Sequence, residues 1–484
     1  LSSMNLVLAL VFMCVTAEGL EEPRLVYPRL LEERSSDGKL VLHVHDELTL
    51  NLEQASVAAP QLRFIDERDG FSVTEMVDGK EINSNLYQDR DQLATVEVKL
   101  TEGNAEIRGI VGPNHRIEPV LTTERSESGL IPHMVHEIQH AKVRDQAISF
   151  VEKAKRFHLT ARNYHTEDKV PEEVIVEAFF VADRSYYSTF KGNREALVYV
   201  CMLLNSVNLR MTDMKNPRVR IALTGLESAA QHEYLQGVSK NMHDNAALRA
   251  FQKYGERKKN DFGNPDIVFL LSWTEGTQGS DGKWRSRATG IAYVSGVCTR
   301  FYVGLGEDAP GVFTGVHTVT HEIGHLLGSE HDETGPSSFV PGHPGAKACR
   351  WSDGYIMSYV DKDANHHKFS RCSLDQMRHV LRVRGKACWE VVSRLENVTN
   401  KYPGYRNVTR KICMRAFPKK PNVQAELIYP RGDECKLQCL YWEQIGYFTR
   451  YHRTFRDVPD FTPCGHNRVC VRGRCVPGTI PRKN

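Results

Sequence analysis

The sequence predicts an α/β catalytic domain between a mainly β amino-terminal region and a small disulfide-rich carboxy-terminal one. Residues 18 to 156 contain no Cys and alternate apolar and polar residues in short runs, the period of half-buried strands. From about Val170 strand-like and helix-like patterns take turns, which is the pattern of an α/β layer. Beyond Leu395 charge, Pro and Gly rise, and six Cys fall at 413, 435, 439, 464, 470 and 475. Too few aliphatic residues remain there for a large core, so disulfides should carry the fold.

In order along the chain, Met4–Ala17 is a short apolar run ending in Val15-Thr16-Ala17, the small-x-small pattern of a signal peptide. Domain bounds are therefore expected at 1–17 (signal peptide), 18–156 (amino-terminal region), 157–393 (catalytic domain) and 394–484 (cysteine-rich domain). Leu40–Val44 and Ala94–Leu100 read as strands. Lys153-Ala154-Lys155-Arg156 has two readings, a maturation site for a basic-specific convertase or a solvated charge cluster. Val174–Ala182, Val219–Leu223 and Asp266–Ser272 read as further strands, Asn193–Met211 as an amphipathic helix. Gly290–Val297 reads as an edge strand onto which an extended peptide could add, and about Thr314 to Leu327 as a helix.

That last helix carries the chemistry. In HEIGHLLGSEHD, His321 and His325 are four apart, so their imidazoles stack on one helical face. Gly328 lets the chain turn without a Cβ penalty, so that His331 returns as a third nitrogen ligand. Three neutral imidazoles leave a tetrahedral zinc one open position, as in catalytic rather than structural sites. Glu322 is placed as a general base for a zinc-bound water, and then as the acid that protonates the leaving amine. Met357, in Gly354-Tyr-Ile-Met-Ser-Tyr359, follows the third His at the spacing of a Met-turn. His317 precedes His321 by four but has no following Glu, and is expected to be a partly exposed or hydrogen-bonded helix residue. His366 and His367 read as loop residues.

These motifs resemble the metzincins. Asp332, straight after the third His, is similar to the reprolysin or adamalysin branch, shared with snake-venom metalloproteases and the ADAM and ADAMTS enzymes. EVIVEAFFVAD (Glu173–Asp183), GIAYVSGVC (Gly290–Cys298) and FSRCS (Phe369–Ser373) extend the resemblance across the central domain. It implies a metzincin catalytic fold with a twisted mixed sheet, one catalytic Zn2+, and Asp332 fixing the local turn. Tyr359 is a departure, since astacins and serralysins carry a zinc-approaching Tyr there; it is taken as structural or substrate-side. The resemblance also suggests Cys298 with Cys388 and Cys349 with Cys372; spacing alone does not choose among pairings. Cys201 is left as a buried free thiol. Structural Ca2+ is a family property, although no calcium loop is recognisable.

The Gly109–Pro119 segment resembles a reprolysin prodomain. Many such prodomains bind zinc through a free Cys, and this one has none, so that latency device is absent. Thr462–Cys475 resembles the cysteine-rich segment of ADAMTS-like proteins. The overall architecture resembles the secreted salivary metalloproteases of ticks, which implies host matrix and clotting proteins such as fibrinogen and fibronectin as substrates.

The remaining signals bound the function. A net charge of +3 and no basic stripe give no support for nucleic acid as a partner. No second run is apolar and long enough for a span, and no tail suggests a lipid anchor. Crowded Cys and the sequons at Asn397 and Asn407 fit secretion and glycosylation. Arg431-Gly432-Asp433 is a triplet that integrins read, but three-residue matches are common. Two functions compete: a secreted zinc endopeptidase of extracellular proteins, and a secreted binding protein acting on an adhesion receptor through its cysteine-rich tail.

Overall fold

A computed structural model describes residues 22–32, 40–68, 71–101, 104–120, 130–140, 170–234, 245–272, 289–391, 409–418, 420–429, 434–445, 448–458, 462–465, 468–471 and 474–477. The expected signal peptide, the basic cluster at 153–156, both sequon asparagines and Arg431–Asp433 lie outside them. The described residues form two units, divided between Ser393 and Arg394.

The amino-terminal strands are β1 (Arg24–Val26), β2 (Arg29–Glu32), β3 (Leu40–His45), β4 (Leu48–Gln54), β5 (Ala58–Arg68) and β6 (Phe71–Asp78). After helix α1 (Gly79–Asn83) come β7 (Leu86–Asp89), β8 (Ala94–Thr101), β9 (Asn104–Gly112), β10 (His115–Pro119) and β11 (His133–Glu137). Nine of them make an antiparallel sheet in the order β1-β11-β10-β9-β8-β7-β4-β3-β2. Alternation carries it. Leu40, Leu42 and Val44 point inward from β3, to pack with Leu50, Val96, Ile107 and Ile117.

The other two strands, β5 and β6, leave that sheet and join the next one. The central elements are β12 (Glu173–Asp183), α2 (Arg184–Tyr187), α3 (Asn193–Arg210), β13 (Arg218–Ala229), α4 (Gln231–Tyr234), α5 (Asn245–Lys258), β14 (Ile267–Ser272), β15 (Gly290–Ala292), β16 (Val303–Glu307), α6 (Val316–Leu327), α7 (Arg371–Arg384) and α8 (Lys386–Trp389). The seven-stranded sheet runs β15-β16-β14-β12-β13-β5-β6. β12, β13, β14, β16 and β5 are mutually parallel, whereas β15 and β6 are antiparallel edges. The central strand β14, buried on both faces, is a nearly continuous apolar run, IVFLLS.

The described residues up to Ser393 cluster as one unit, in which β5 and β6 extend the catalytic sheet. One expectation changes here. Helix α3 is not amphipathic: from Ala196 to Arg210 only Asn208 escapes burial. It is enclosed by β13, α6 and the amino-terminal β8, and each fully buried Leu or Val contributes about 1.5–3 kcal/mol. Cys201 lies within it as a buried free thiol, and burial pushes its pKa up.

The carboxy-terminal unit has α9 (Thr409–Ala416), a three-stranded sheet of β17 (Gln424–Ile428), β18 (Lys436–Ile445) and β19 (Phe448–Asp457), and a second of β20 (Pro463–Gly465), β21 (Arg468–Val471) and β22 (Arg474–Pro477). Three disulfides hold it, 413–439, 435–470 and 464–475, around Leu437, Tyr441 and Val458.

Candidate metal centre

Helix α6 is buried along its whole length. Its start is held from below, since Gly315 N–H donates to Asp308 Oδ1 at 2.8 Å. Asp308 Oδ2 accepts from the hydroxyls of Tyr186 (2.6 Å) and Tyr199 (2.8 Å). Burial pushes the Asp308 carboxyl up to about 6. Gly328 ends the helix at φ +122°, and a Cβ there would stand 2.4 Å from Val380, so the turn needs glycine on both counts. His343 Nε2–H donates to the Gly328 carbonyl at 2.8 Å, while its Nδ1 accepts from Ser337 N–H.

The turn brings His331 back onto the helix. One nitrogen each of His321, His325 and His331 lie within 4.8 Å of one another, and His321 Nε2 is 3.2 Å from His331 Nε2. Two ligands on a tetrahedral zinc with bonds of 2.0–2.1 Å would be about 3.3 Å apart. His321 Nδ1 meets the Ile356 carbonyl at 2.8 Å and His325 Nδ1 the Ser329 carbonyl at 2.6 Å. A carbonyl only accepts, so both Nδ1 atoms carry the proton and both Nε2 lone pairs face inward. The donor set therefore fits Zn2+.

Glu322 is fully buried and faces β15. A Cβ at Gly290 would stand 2.5 Å from Glu322 Oε1, so the missing side chain makes room for the carboxylate. Beneath the helix, Met357 is buried, its sulfur 3.0 Å from where a Gly324 Cβ would be. Asp332 N–H donates to the Met357 carbonyl, and Asp332 Oδ1 accepts from Ser370 Oγ at 2.6 Å. The residue after the third His thus ties the turn to the methionine below. Burial pushes its carboxyl up to about 6. Tyr359 is 40% exposed, stacks edgewise on Trp351, and has its hydroxyl 3.5 Å from His331 Nε2.

The structure bonds Cys298 to Cys388 and Cys349 to Cys372. Elsewhere it departs from expectation. Only Gly290–Ala292 of the expected edge strand pairs with β16. The chain then turns, and Ser295 and Val297 donate N–H to the carbonyls of His325 and Leu326. The last turn of α6 needs those donors. His317 is neither exposed nor hydrogen-bonded: it is 2% exposed, neither ring nitrogen has a partner among the described residues, and it stacks on His366 at 3.9 Å. His366 and His367 sit in a 3-10 turn (Ala364–His367), not an open loop. Asp308 and His343 had no sequence signal, and Gly290 read only as the start of an edge strand, because each acts through a contact with residues distant in the chain.

Two buried imidazoles and a half-buried third, on and just after a helix that also carries the buried Glu322 carboxylate, make a candidate metal centre. Residues 173–370 match the reprolysin profile of metallo-peptidase family M12. The match and the relatives support a zinc metalloendopeptidase domain of the reprolysin type in this stretch. Relatives agree. A silk moth protein (Bombyx mori) described as a disintegrin and metalloproteinase with thrombospondin motifs like is 26% identical, over 74% of this chain and 54% of its own length. The chain thus spans about half of that relative. Venom metalloproteinase BumaMPs1 of the scorpion Olivierus martensii is 26% identical over 77% of this chain and 94% of its own length. Venom metalloproteinase antarease TserMP_A of Tityus serrulatus is 27% identical over 64% and 81%.

Proposed function

We propose that the chain is a secreted zinc endopeptidase that cuts extended segments of extracellular proteins. The observation that carries this is the convergence of one ring nitrogen each of His321, His325 and His331, on and just after the helix that also carries the buried Glu322 carboxylate. His321, His325 and His331 would hold the zinc, which when bound supplies a Lewis acid for the scissile carbonyl and for water. Glu322 takes a proton from the attacking water at its carboxylate oxygen and delivers it to the amide nitrogen that leaves. Gly290 leaves that carboxylate its place, and β15 offers an edge on which the substrate backbone can pair. Asp332 holds the His331 turn, Gly328 allows it, and Met357 forms the apolar floor.

Secretion is supported by the amino-terminal apolar run, by five disulfides and by the venom relatives. No helix among the described residues is long and apolar enough to cross a membrane. Matrix and clotting proteins are the proposed substrates, by likeness to the salivary enzymes of ticks. Glycosylation at Asn397 and Asn407 and a structural Ca2+ belong to the same reading. The test is cleavage of fibrinogen and gelatin by the matured protein, beside Glu322→Ala and a chelated sample. Cleavage abolished in both controls is the expected result. No cleavage by a matured sample holding one zinc would favour a binding role for the cysteine-rich unit.

A further inference from the structure

The amino-terminal region is built into the catalytic sheet rather than laid against it. β5 pairs in parallel with β13, from Leu223↔Ala58 through Gly225↔Arg63 to Ser228↔Asp66, and β6 then pairs with β5. The backbones approach closely enough that a Cβ at Gly225 would stand 2.3 Å from the Arg63 carbonyl oxygen. Val57, Leu62, Phe64, Ile82, Leu86 and Ile110 share one continuous core with Leu203, Val207, Leu223 and the α6 residues Val319 and Ile323. Polar contacts, one of them buried, cross the same boundary. Asn205 Nδ2 donates to Gln88 Oε1 and to Thr95 Oγ1, both at 3.0 Å. Arg194 pairs with Glu97 at 3.1 Å, and Arg108 with Glu195 at 2.6 Å.

A removable inhibitor covers a finished surface. Here the surface beneath is not finished. Without residues 55–138, β13 becomes an open parallel edge with unpaired N–H and C=O groups, and α3 loses the strands over one side, so that its apolar residues on that side meet water and Asn205 loses both of its protein partners. The hairpin also lies far from the substrate edge. Five inter-strand steps separate β5 from β15, about 24 Å at the usual strand spacing.

We propose that the amino-terminal region is a permanent subunit of the enzyme: after a cut in the segment 141–169 it stays bound, without a covalent link, as two strands of the catalytic sheet. Maturation would then yield a two-chain protein rather than release a propeptide. The maturation cut belongs to the proposed function, but the retention follows from packing alone.

The test uses the full chain with a site-specific protease sequence inserted between residues 150 and 160. After complete cutting, the sample is run on size exclusion at pH 7.5 in 1 M NaCl, and amide exchange is read on β13. Residues 18–156 contain no Cys, so co-elution cannot arise from a disulfide. The expected result is one peak containing both chains, separable only in denaturant, with the β13 amides Leu226–Ala229 as protected as before cutting. Separation of the chains with the larger one keeping its melting transition would overturn the proposal. So would co-elution with β13 exchanging as an open edge. Neither readout uses peptidase activity, so loss of either proposal leaves the other standing.

Discussion

Acid should loosen the junction where the amino-terminal region meets the catalytic helix layer. His140 is the last described residue of that region, with Nε2 2.9 Å from the Pro113 carbonyl and its ring 6.5 Å from that of His367. The charged or titratable neighbours acting on it are Arg210 and His366, and His367 faces it across the junction. Burial, with Arg210 and His366 adding to it, pushes the His140 pKa from 6.5 down to about 4. The docked state therefore favours the neutral ring. Docking is complete above pH 6.5, and weakens as pH falls from 6.5 towards 4 because only the undocked ring gains a proton. At pH 5 the loss is a factor of about 30, or about 2 kcal/mol. His367, pushed down to about 3 chiefly by burial, acts in the same direction.

The assay is hydrogen exchange of residues 133–138 in the intact chain, at pH 7.5 and pH 5, against His140→Gln. Glutamine keeps a donor for the Pro113 carbonyl and does not titrate, and comparison at one pH cancels the intrinsic exchange rate. The two proteins should open alike at pH 7.5, with the wild type opening about 30-fold more at pH 5. Equal opening at pH 5 would refute the reasoning.

Other substitutions probe the centre itself. Glu322→Gln should lower kcat at least 100-fold or so while metal analysis still finds one zinc per chain. Gly290→Val should also abolish cleavage, since its Cβ meets Glu322 Oε1 at 2.5 Å; normal kcat would show that the carboxylate does not need that space. Met357→Ala empties a buried site under α6 and should cost about 2–5 kcal/mol in urea unfolding, with Met357→Leu costing under about 1.5. Replacing Cys349 and Cys372 by Ser opens a closed loop with a sequence separation of 23 and should cost about 3 kcal/mol; an unchanged unfolding midpoint would argue that the Met-turn segment is held by packing alone.

The centre was legible because its information is local. His321, Glu322, His325, Gly328 and His331 sit within one helix and one turn, where 3.6-residue periodicity and a glycine's left-handed freedom determine geometry. The central strands were legible for the same reason, as unbroken apolar runs. What escaped depends on long-range pairing. No property of Ala58–Arg68 read alone says that it lies beside Leu223–Ser228, because its alternation fits either sheet. Helix α3 read as amphipathic because its covering partner is more than a hundred residues upstream. Asp308 gave no signal, and only the fold brings Tyr186 and Tyr199 to it. His317 shows the opposite error, a residue expected to be partly exposed or hydrogen-bonded that the fold encloses against His366.

The bridge from Cys298 to Cys388 closes a loop with a sequence separation of 90. That loop contains α6, all three metal-site histidines and Met357, with the 349–372 bridge nested inside it. A peptidase stored at high concentration is exposed to its own active site. A single nick anywhere from Thr299 to Ala387 produces two ends that remain tethered, so the histidines cannot drift apart into separate fragments. Autolysis within the catalytic half would be a local injury rather than a dissociation, visible on a gel only after reduction.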